Sequence, residues 1–185
     1  MTSSTASGSV VVSEMLVRRA MPAVAAEDTQ HVAACLASFQ RDYGENYANR
    51  THPYPGIPGL LAALRSRLVP LGILSNKPHA FTLQCAETYF GRTGETFQIV
   101  FGQREGIPRK PDPAAAIEAA EALGVPPDAC IYVGDSGVDM QTAAAAGMLG
   151  VGVAWGFRPG EELRAAGALE VIDSPEVLLK FFAAP

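Results

Sequence analysis

The feature that most constrains this chain is a series of short apolar runs that alternate with helical patterns after residue 57. The runs are LGILSN (71–76), FQIVFG (97–102), CIYVGD (130–135) and GVGVAW (150–155). Runs that are apolar throughout are typical of parallel strands with helices on both faces. The sequence therefore predicts an α/β fold with a doubly wound parallel sheet.

Helical patterns separate and follow these runs. Helices are predicted over 58–68, 79–90 and 138–147, and later in PGEELRAAG and SPEVLLKFF. One further helix is predicted with Asp112 as its N-cap, Pro113 as its first residue and Gly124 at its end. These helices complete an alternating strand–helix order.

The first part of the chain has a different pattern. Residues 13–50 are predicted to be helical, with a break at Pro22 and with Val32, Cys35, Leu36 and Phe39 on one face. The segment THPYPGIPG follows and is rich in proline and glycine, which is typical of a linker. We therefore predict a flexible leader over 1–12, a helical segment over 13–50, a hinge over 51–56 and the α/β core over 57–185.

Composition excludes several classes of protein. The chain has 185 residues, of which 48% are hydrophobic, so it can bury a core as a single domain. Its formal net charge is −5 without a Lys/Arg run, which argues against nucleic-acid binding, and no apolar stretch is long enough to span a membrane. The three cysteines are widely spaced, so neither a disulfide framework nor a zinc site is expected. The amino terminus lacks a signal-peptide pattern, and we expect a cytoplasmic protein.

Polar residues follow two of the predicted strands. Ser75 and Asn76 end the first run, Asp135 ends the third and Asp139 comes shortly after it, and Lys110 lies in RKPDP between them. The carboxyl ends of parallel strands share one edge, where ligands bind. Carboxylates suit Mg²⁺, and a lysine or a serine hydroxyl suits phosphate. These residues are therefore candidates for a Mg²⁺ and phosphate site.

Each candidate also has a purely structural alternative. Ser75, Asn76 and Asp135 are residue types that cap helices, Asp139 fits a solvated helix position, and Lys110 fits an ordinary surface position. The chain has only three lysines against eleven arginines, and two of these lysines lie near predicted strand ends. The order and spacing of the residues, rather than any one of them, favour the functional interpretation.

Three segments together resemble a known family. LGILSNK, RKPDP and YVGDSGVDM are similar to motifs II, III and IV of the haloacid dehalogenase superfamily, and most similar to its phosphoglycolate phosphatase group. HPYPGIPGLLAALR, GVAWGFRPGEELRAAGA and VIDSPEVLL also resemble that group. The similarity covers residues 51–182 well and 13–50 more loosely. It implies a Rossmann-like core, with the helical segment as a partial C1-type cap that closes over the site.

The resemblance implies roles for the candidate residues. Ser75, Asn76 and Lys110 would bind phosphate, and Ser75 and Lys110 would act in catalysis. Asp135, the stronger candidate, and Asp139 would hold Mg²⁺. The implied substrate is a small phosphorylated metabolite such as 2-phosphoglycolate, for a monomer or homodimer that binds neither nucleic acid nor membrane.

The chain departs from the family at motif I. That motif, of the type DxDGT, lies on a central strand, and its first aspartate is the nucleophile. No D-x-D occurs in the 185 residues, and Asp28 lies in the helical segment. We therefore expect no nucleophile, no central strand, unpaired backbone groups in the gap and no turnover. The VVV at 10–12 is short and carries no acid, although it is a candidate to fill part of the gap.

Three explanations of this departure remain open. The chain is a fragment of a full phosphatase, or a shortened paralogue without hydrolase activity, or a partner of another chain that supplies the strand. The functional alternatives are a non-catalytic phosphate-binding or regulatory protein and another superfamily member, such as a phosphosugar mutase or pyrophosphatase.

Overall fold

The computed structural model describes residue 14 and residues 16–182; the predicted leader over 1–12, with its VVV segment, lies outside them. The helices α1 to α7 span Ala23–Glu27, Thr29–Asn46, Ile57–Ser66, His79–Phe90, Ala114–Leu123, Gly137–Ala145 and Gly160–Ala165. The strands β1 to β5 span Gly72–Pro78, Ile99–Gln103, Ile131–Gly134, Leu149–Val153 and Glu170–Ile172. Short 3₁₀ helices cover Pro127–Ala129 and Pro175–Phe181. Residues 16–20 are helical as well.

The strands form two parallel sheets. β1 pairs with β2, and β4 lies between β3 and β5. The α/β class and the parallel direction of the strands confirm the prediction. Within the described residues β1 and β3 do not hydrogen-bond to each other, so the strands form two sheets. The break lies between the two strands that the missing motif I strand is expected to separate.

Several boundaries differ from the prediction. Pro113, not Asp112, is the N-cap of α5, although the Asp112 carboxylate accepts the Ala114 N–H at 2.9 Å. The strand β5 was not predicted, because its three residues are too few to show a pattern. The segment SPEVLLKFF forms a 3₁₀ helix rather than an α-helix, and its proline at the first turn suits either form.

The main apolar cluster lies beside the three-stranded sheet. Its members are buried residues from α3, β4, β5 and the last 3₁₀ helix: Leu60, Leu64, Val151, Val153, Ile172 and Leu178. Leu71, just before β1, and Ile131, at the start of β3, both pack against this cluster. The amino-terminal ends of β1 and β3 therefore lie on the same part of the core.

Helix α2 packs on α4. The Tyr47 hydroxyl lies 2.8 Å from the Thr88 hydroxyl, and the ring of Tyr43 meets the ring of Phe81 edge-on at 5.3 Å. Val32 and Leu36 form the buried side of α2, within the face that the sequence predicts. In the described part of the chain, no helix has the length and apolar character needed to cross a membrane.

Candidate functional site

Asn76 connects the end of β1 to the segment that carries Lys110. Its side-chain oxygen accepts the Lys110 N–H at 3.0 Å, and its amide donates to the Lys110 carbonyl at 3.2 Å. Both polar groups of the amide are therefore engaged with one main-chain unit, which fixes where the lysine side chain begins. The predicted contact of Asn76 with phosphate stays a prediction.

The Lys110 ammonium connects a main-chain carbonyl of β1 to a carboxylate that follows β3. It donates to the Leu74 carbonyl at 3.3 Å and forms a salt bridge with Asp139 at 2.7 Å. The two side chains of this pair are only 12% and 10% exposed. A charge-assisted contact with so little solvent around it is stronger than a surface ion pair. Lys110 and Asp139 are thus brought together as the sequence predicts.

Tyr132 is a residue of this site that the sequence analysis missed. Its ring lies 5.8 Å from the Lys110 ammonium, and its buried hydroxyl has no hydrogen-bond partner among the described residues. Burial raises the pKa of this hydroxyl well above its ordinary value, and the nearby charge of Asp139 raises it further. A tyrosine inside an apolar strand carries no signal that would separate it from a core residue.

Asp139 takes part in a capping box at the start of α6. Ser136 is the N-cap, and its hydroxyl and N–H donate to Oδ2 of Asp139 at 2.7 and 3.2 Å. The other oxygen, Oδ1, accepts from Lys110. Asp139 is only 7% exposed, so the alternative of a solvated helix position is wrong, and the capping box was not predicted for this residue. Both of its oxygens are engaged, and its predicted contact with Mg²⁺ stays a prediction.

Asp135 is less fully engaged than Asp139. The structure places Ser136, and not Asp135, at the N-cap of α6. Oδ2 of Asp135 accepts the N–H of Phe157 at 3.1 Å, and none of the described hydrogen bonds uses Oδ1. The contact with Phe157, across 22 residues of sequence, was not predicted. Asp135 therefore keeps one carboxylate oxygen for a ligand.

Ser75 lies between Leu74 and Asn76, both of which contact Lys110. Its hydroxyl accepts the N–H of Lys77 at 3.0 Å, which leaves the hydroxyl proton for another acceptor. Ser75 does not cap helix α4, whose N-cap is Pro78. The structure therefore puts this hydroxyl at the edge where Lys110 is found.

Lys77 faces the helical segment. Its ammonium donates to the Tyr43 hydroxyl at 2.5 Å and lies 3.7 Å from the Cys85 sulfur. Burial lowers the pKa of Lys77, but the hydrogen bond that it donates to Tyr43 and the electrostatic interactions with Cys85 and Tyr43 outweigh burial and raise the pKa above its ordinary value. Lys77 thus joins α2 to the end of β1.

The donor set at this edge suits a hard cation held mainly by water and substrate. Mg²⁺ usually meets a protein through one or two carboxylates and keeps several waters. Asp135 offers one oxygen of that kind. Over residues 14 and 16–182, no three His, Cys, Asp or Glu side chains cluster closely enough to hold a metal ion by themselves. The residues fit Mg²⁺ with Asp135 as the ligand and Asp139 as the residue that orders Lys110.

Two shallow pockets lie elsewhere. One, of 360 Å³, runs along the end of α2 from Asp42 to Thr51, and the other, of 410 Å³, lies between the hinge and Trp155. Neither is lined by Ser75, Lys110 or Asp135. The polar groups at the strand ends, rather than a deep cavity, define the candidate site.

The fold and the site define a class of protein. A family model for the haloacid dehalogenase-like hydrolases matches residues 9–147, and the chain belongs to this family of hydrolases.

Within this family, the chain is similar to phosphoglycolate phosphatases. The chain is 33% identical over 175 residues to the phosphoglycolate phosphatase of Pseudomonas putida, with 93% of this chain covered. It is 34% identical over 125 residues to that of Escherichia coli K12, with 68% of this chain covered. The chain spans only 63% and 49% of the lengths of these two relatives.

Solved structures agree with this likeness. A predicted phosphoglycolate phosphatase from Haemophilus somnus matches with a TM-score of 0.81 and 25% identity, over 95% of this chain and 78% of that one. A Lactobacillus delbrueckii protein, whose assignment as a phosphoglycolate phosphatase is provisional, matches with a TM-score of 0.78 and 31% identity, over 99% of this chain and 81% of that one. The fold and the phosphoglycolate phosphatase-like character that the motifs predict are confirmed.

Proposed function

We propose that this chain carries the phosphate- and Mg²⁺-binding part of a haloacid dehalogenase-type phosphatase site and binds a small phosphomonoester such as 2-phosphoglycolate. The observation that carries the proposal is the position of Lys110. Its ammonium contacts the Leu74 carbonyl, next to Ser75 in β1, and a carboxylate that follows β3, so it lies between the two groups of candidate residues.

Each residue has a distinct part in this proposal. The Lys110 ammonium compensates the charge of the phosphoryl oxygens, and the Ser75 hydroxyl donates to one of them. Asp139 keeps Lys110 oriented through the 2.7 Å salt bridge. Asp135 ligates Mg²⁺, which when bound neutralises charge on the phosphate. Positioning and charge compensation are the main tasks of a protein in phosphoryl transfer.

We propose that binding by this chain is not followed by turnover. The family resemblance implies an aspartate nucleophile in a D-x-D motif, and the 185 residues contain no such motif. Neither Asp135 nor Asp139 substitutes for it, because one is assigned to the metal and the other has both oxygens engaged. The proposal for these 185 residues is therefore the binding part of a phosphatase site, with a non-catalytic phosphate-binding protein as the alternative.

The other assignments remain proposals. We infer a cytoplasmic location from the sequence pattern, and the family resemblance implies a monomer or a homodimer. The likeness to the β-phosphoglucomutase of Clostridium difficile has 20% identity and shows the fold alone, so it does not favour a mutase.

Calorimetric titration of the full chain with 2-phosphoglycolate in the presence of Mg²⁺ tests the binding part of the proposal. Wild type is expected to bind, and Lys110→Met to lose at least about 10-fold in affinity, because removal of a charged hydrogen-bond partner costs about 1.5–3 kcal/mol. Lys180→Met is the matched control, since Lys180 lies in the last 3₁₀ helix and pairs with Glu170 on the surface. Ser75→Ala serves as a second variant that leaves the ion pair intact.

Phosphate release from 2-phosphoglycolate, measured in the same samples, tests the absence of turnover. No release above the buffer rate is expected. A rate that disappears in Asp135→Ala would contradict this expectation. Absence of binding by folded wild type, or equal binding by wild type and Lys110→Met, would overturn the proposed site.

A further inference from the structure

The loop after β4 lies directly against Asp135. A Cβ atom added to Gly156 would come within 2.2 Å of the Asp135 Cβ and 2.6 Å of its Oδ2, so only glycine allows the main chain to approach this closely. The next peptide N–H, that of Phe157, donates to the same Oδ2 at 3.1 Å. One carboxylate oxygen is thus covered by main chain.

The loop is anchored on both sides of this contact. The Ala154 N–H donates to the Ile172 carbonyl at 3.0 Å, and Trp155 packs against the main apolar cluster. Pro159 follows as the N-cap of α7, whose Leu163 is fully buried. The Gly156–Phe157 peptide is therefore held at a defined place by structure that does not include Asp135.

The side chain of Phe157 does not contribute to this anchoring. It is 89% exposed, so it adds little to the packing of the loop. The contact with Asp135 is made by the peptide N–H, which every residue except proline supplies. The peptide group and the ring can therefore be separated by substitution.

We propose that the Gly156–Phe157 peptide is a positioning group that holds Asp135 for ligation through Oδ1 alone, and that it thereby favours Mg²⁺ over Ca²⁺. This inference rests on the Mg²⁺ site proposed above. Mg²⁺ requires near-octahedral geometry with short bonds, whereas Ca²⁺ accepts bidentate carboxylates at longer distances. A carboxylate that has one oxygen occupied by an N–H can ligate through the other oxygen only, and this suits Mg²⁺ better than Ca²⁺.

Competition of Mg²⁺ and Ca²⁺ against Mn²⁺, followed by the paramagnetic resonance signal of free Mn²⁺, tests the inference on the full chain in inorganic phosphate buffer. Phe157→Pro removes the N–H, and Gly156→Ala forces the loop away from Asp135. Both are expected to lose about 10-fold in Mg²⁺ affinity, the usual effect of removing an outer hydrogen bond from a metal ligand. Their Ca²⁺ affinity is expected to fall less, so the Mg²⁺/Ca²⁺ ratio drops.

Two further variants separate the peptide from other effects. Phe157→Ala lacks the ring but keeps the N–H, so the wild-type Mg²⁺/Ca²⁺ ratio is expected. Gly59→Ala is the control for glycine replacement, because a Cβ at Gly59 meets nothing within 4 Å. Thermal unfolding of each variant identifies any that fail to fold. If Phe157→Pro fails to fold, Gly156→Ala provides the test instead.

The outcomes distinguish this inference from the proposed function. If folded wild type binds no Mn²⁺, the metal site itself is wrong and the inference fails with it. If wild type binds Mn²⁺ but Phe157→Pro and Gly156→Ala keep its Mg²⁺/Ca²⁺ ratio, the positioning role is wrong and the metal site stands. A drop in Phe157→Ala equal to that in Phe157→Pro would assign the effect to the ring and overturn the role of the peptide.

Discussion

The three-stranded sheet, around its central strand β4, is more completely enclosed than the two-stranded sheet is along β1; we call the two parts the enclosed half and the open half. In β4, which lies between two strands, Val151 is 0% exposed. In β1, every residue before Pro78 is at least partly exposed. On β3, whose one described strand partner is β4, Val133 is 42% exposed. Burial is therefore greatest around β4 and falls on β1 and β3, the two strands that the site joins.

This difference explains how the polar groups of the site are distributed. Asp135 and Asp139 follow the enclosed sheet and are held by its loops and by a capping box. Ser75 and Asn76 lie in the second half of β1, in the open sheet, and Lys110 is placed by Asn76. One salt bridge, from Lys110 to Asp139, connects the two groups. In the proposed site, the loops and capping box of the enclosed half hold the carboxylates, and the open half provides the groups that we propose to bind phosphate.

The largest expected loss of unfolding free energy comes from a substitution in the enclosed half. Leu163→Ala, at a side chain with 0% exposure, is expected to lower the free energy of unfolding by about 4 kcal/mol, because it leaves a cavity in a packed region. Leu74→Ala, on the partly buried β1, is expected to cost about 1.5 kcal/mol, because less apolar surface is lost and solvent reaches the site. Urea denaturation measures both, and equal losses would mean that the two sheets are equally well packed.

The next largest loss of unfolding free energy is expected at the salt bridge between Lys110 and Asp139, which connects the two halves. Asp139→Asn is expected to lower the free energy of unfolding by about 3 kcal/mol, because it leaves the buried Lys110 ammonium without its counter-ion. The double variant Lys110→Met, Asp139→Asn is expected to recover most of this loss, since both charges are then gone while an amide oxygen still accepts from Ser136. If the double variant is as unstable as Asp139→Asn, the loss comes from the capping box rather than from the ion pair.

The smallest expected loss of unfolding free energy is at the ion pair of Arg104 and Glu118, beside the two-stranded sheet. The hydrogen bond from Arg104 lowers the pKa of Glu118 below its ordinary value of 4.5, against the small opposing effect of burial. Because the folded pKa is the lower one, the stabilisation is present above the unfolded pKa and is lost as the pH falls through the folded pKa. Glu118→Gln is expected to cost about 0.5 kcal/mol at pH 7, since the pair is partly exposed and screened.

The same pair of proteins gives the pH test. The difference in unfolding free energy between wild type and Glu118→Gln is expected to shrink between pH 5 and pH 3. A difference that stays constant over this range would show that the carboxylate charge does not contribute.

Much of the fold could be predicted from the sequence, because strands in an α/β protein are short apolar runs with polar ends. Four of the five strands lie within or close to the predicted runs. β5 could not be found, because a strand of three residues is specified by the neighbour that it pairs with, Val151–Val153, and not by its own pattern. The order of the strands within each sheet depends on tertiary contacts that periodicity does not report.

The candidate site could be predicted as a set of residues but not as a set of contacts. The rule that strand ends share an edge brings Lys110 and Asp139 together correctly. It gave no indication that Asp139 has both oxygens engaged while Asp135 keeps one, or that Phe157 reaches Asp135. These differences depend on a capping geometry and on a loop that returns from 22 residues away.

The packing of α3 has a consequence for any attempt to dissect the molecule. This helix precedes β1 in the chain, yet Leu60 and Leu64 pack against β4, β5 and the last 3₁₀ helix. The enclosed half is therefore assembled from two stretches of sequence that are far apart in the chain, and the open half is formed by the residues between them. A fragment that starts after residue 123 would lose one wall of its own interior, so the two halves are units of packing and not pieces that can be cut apart.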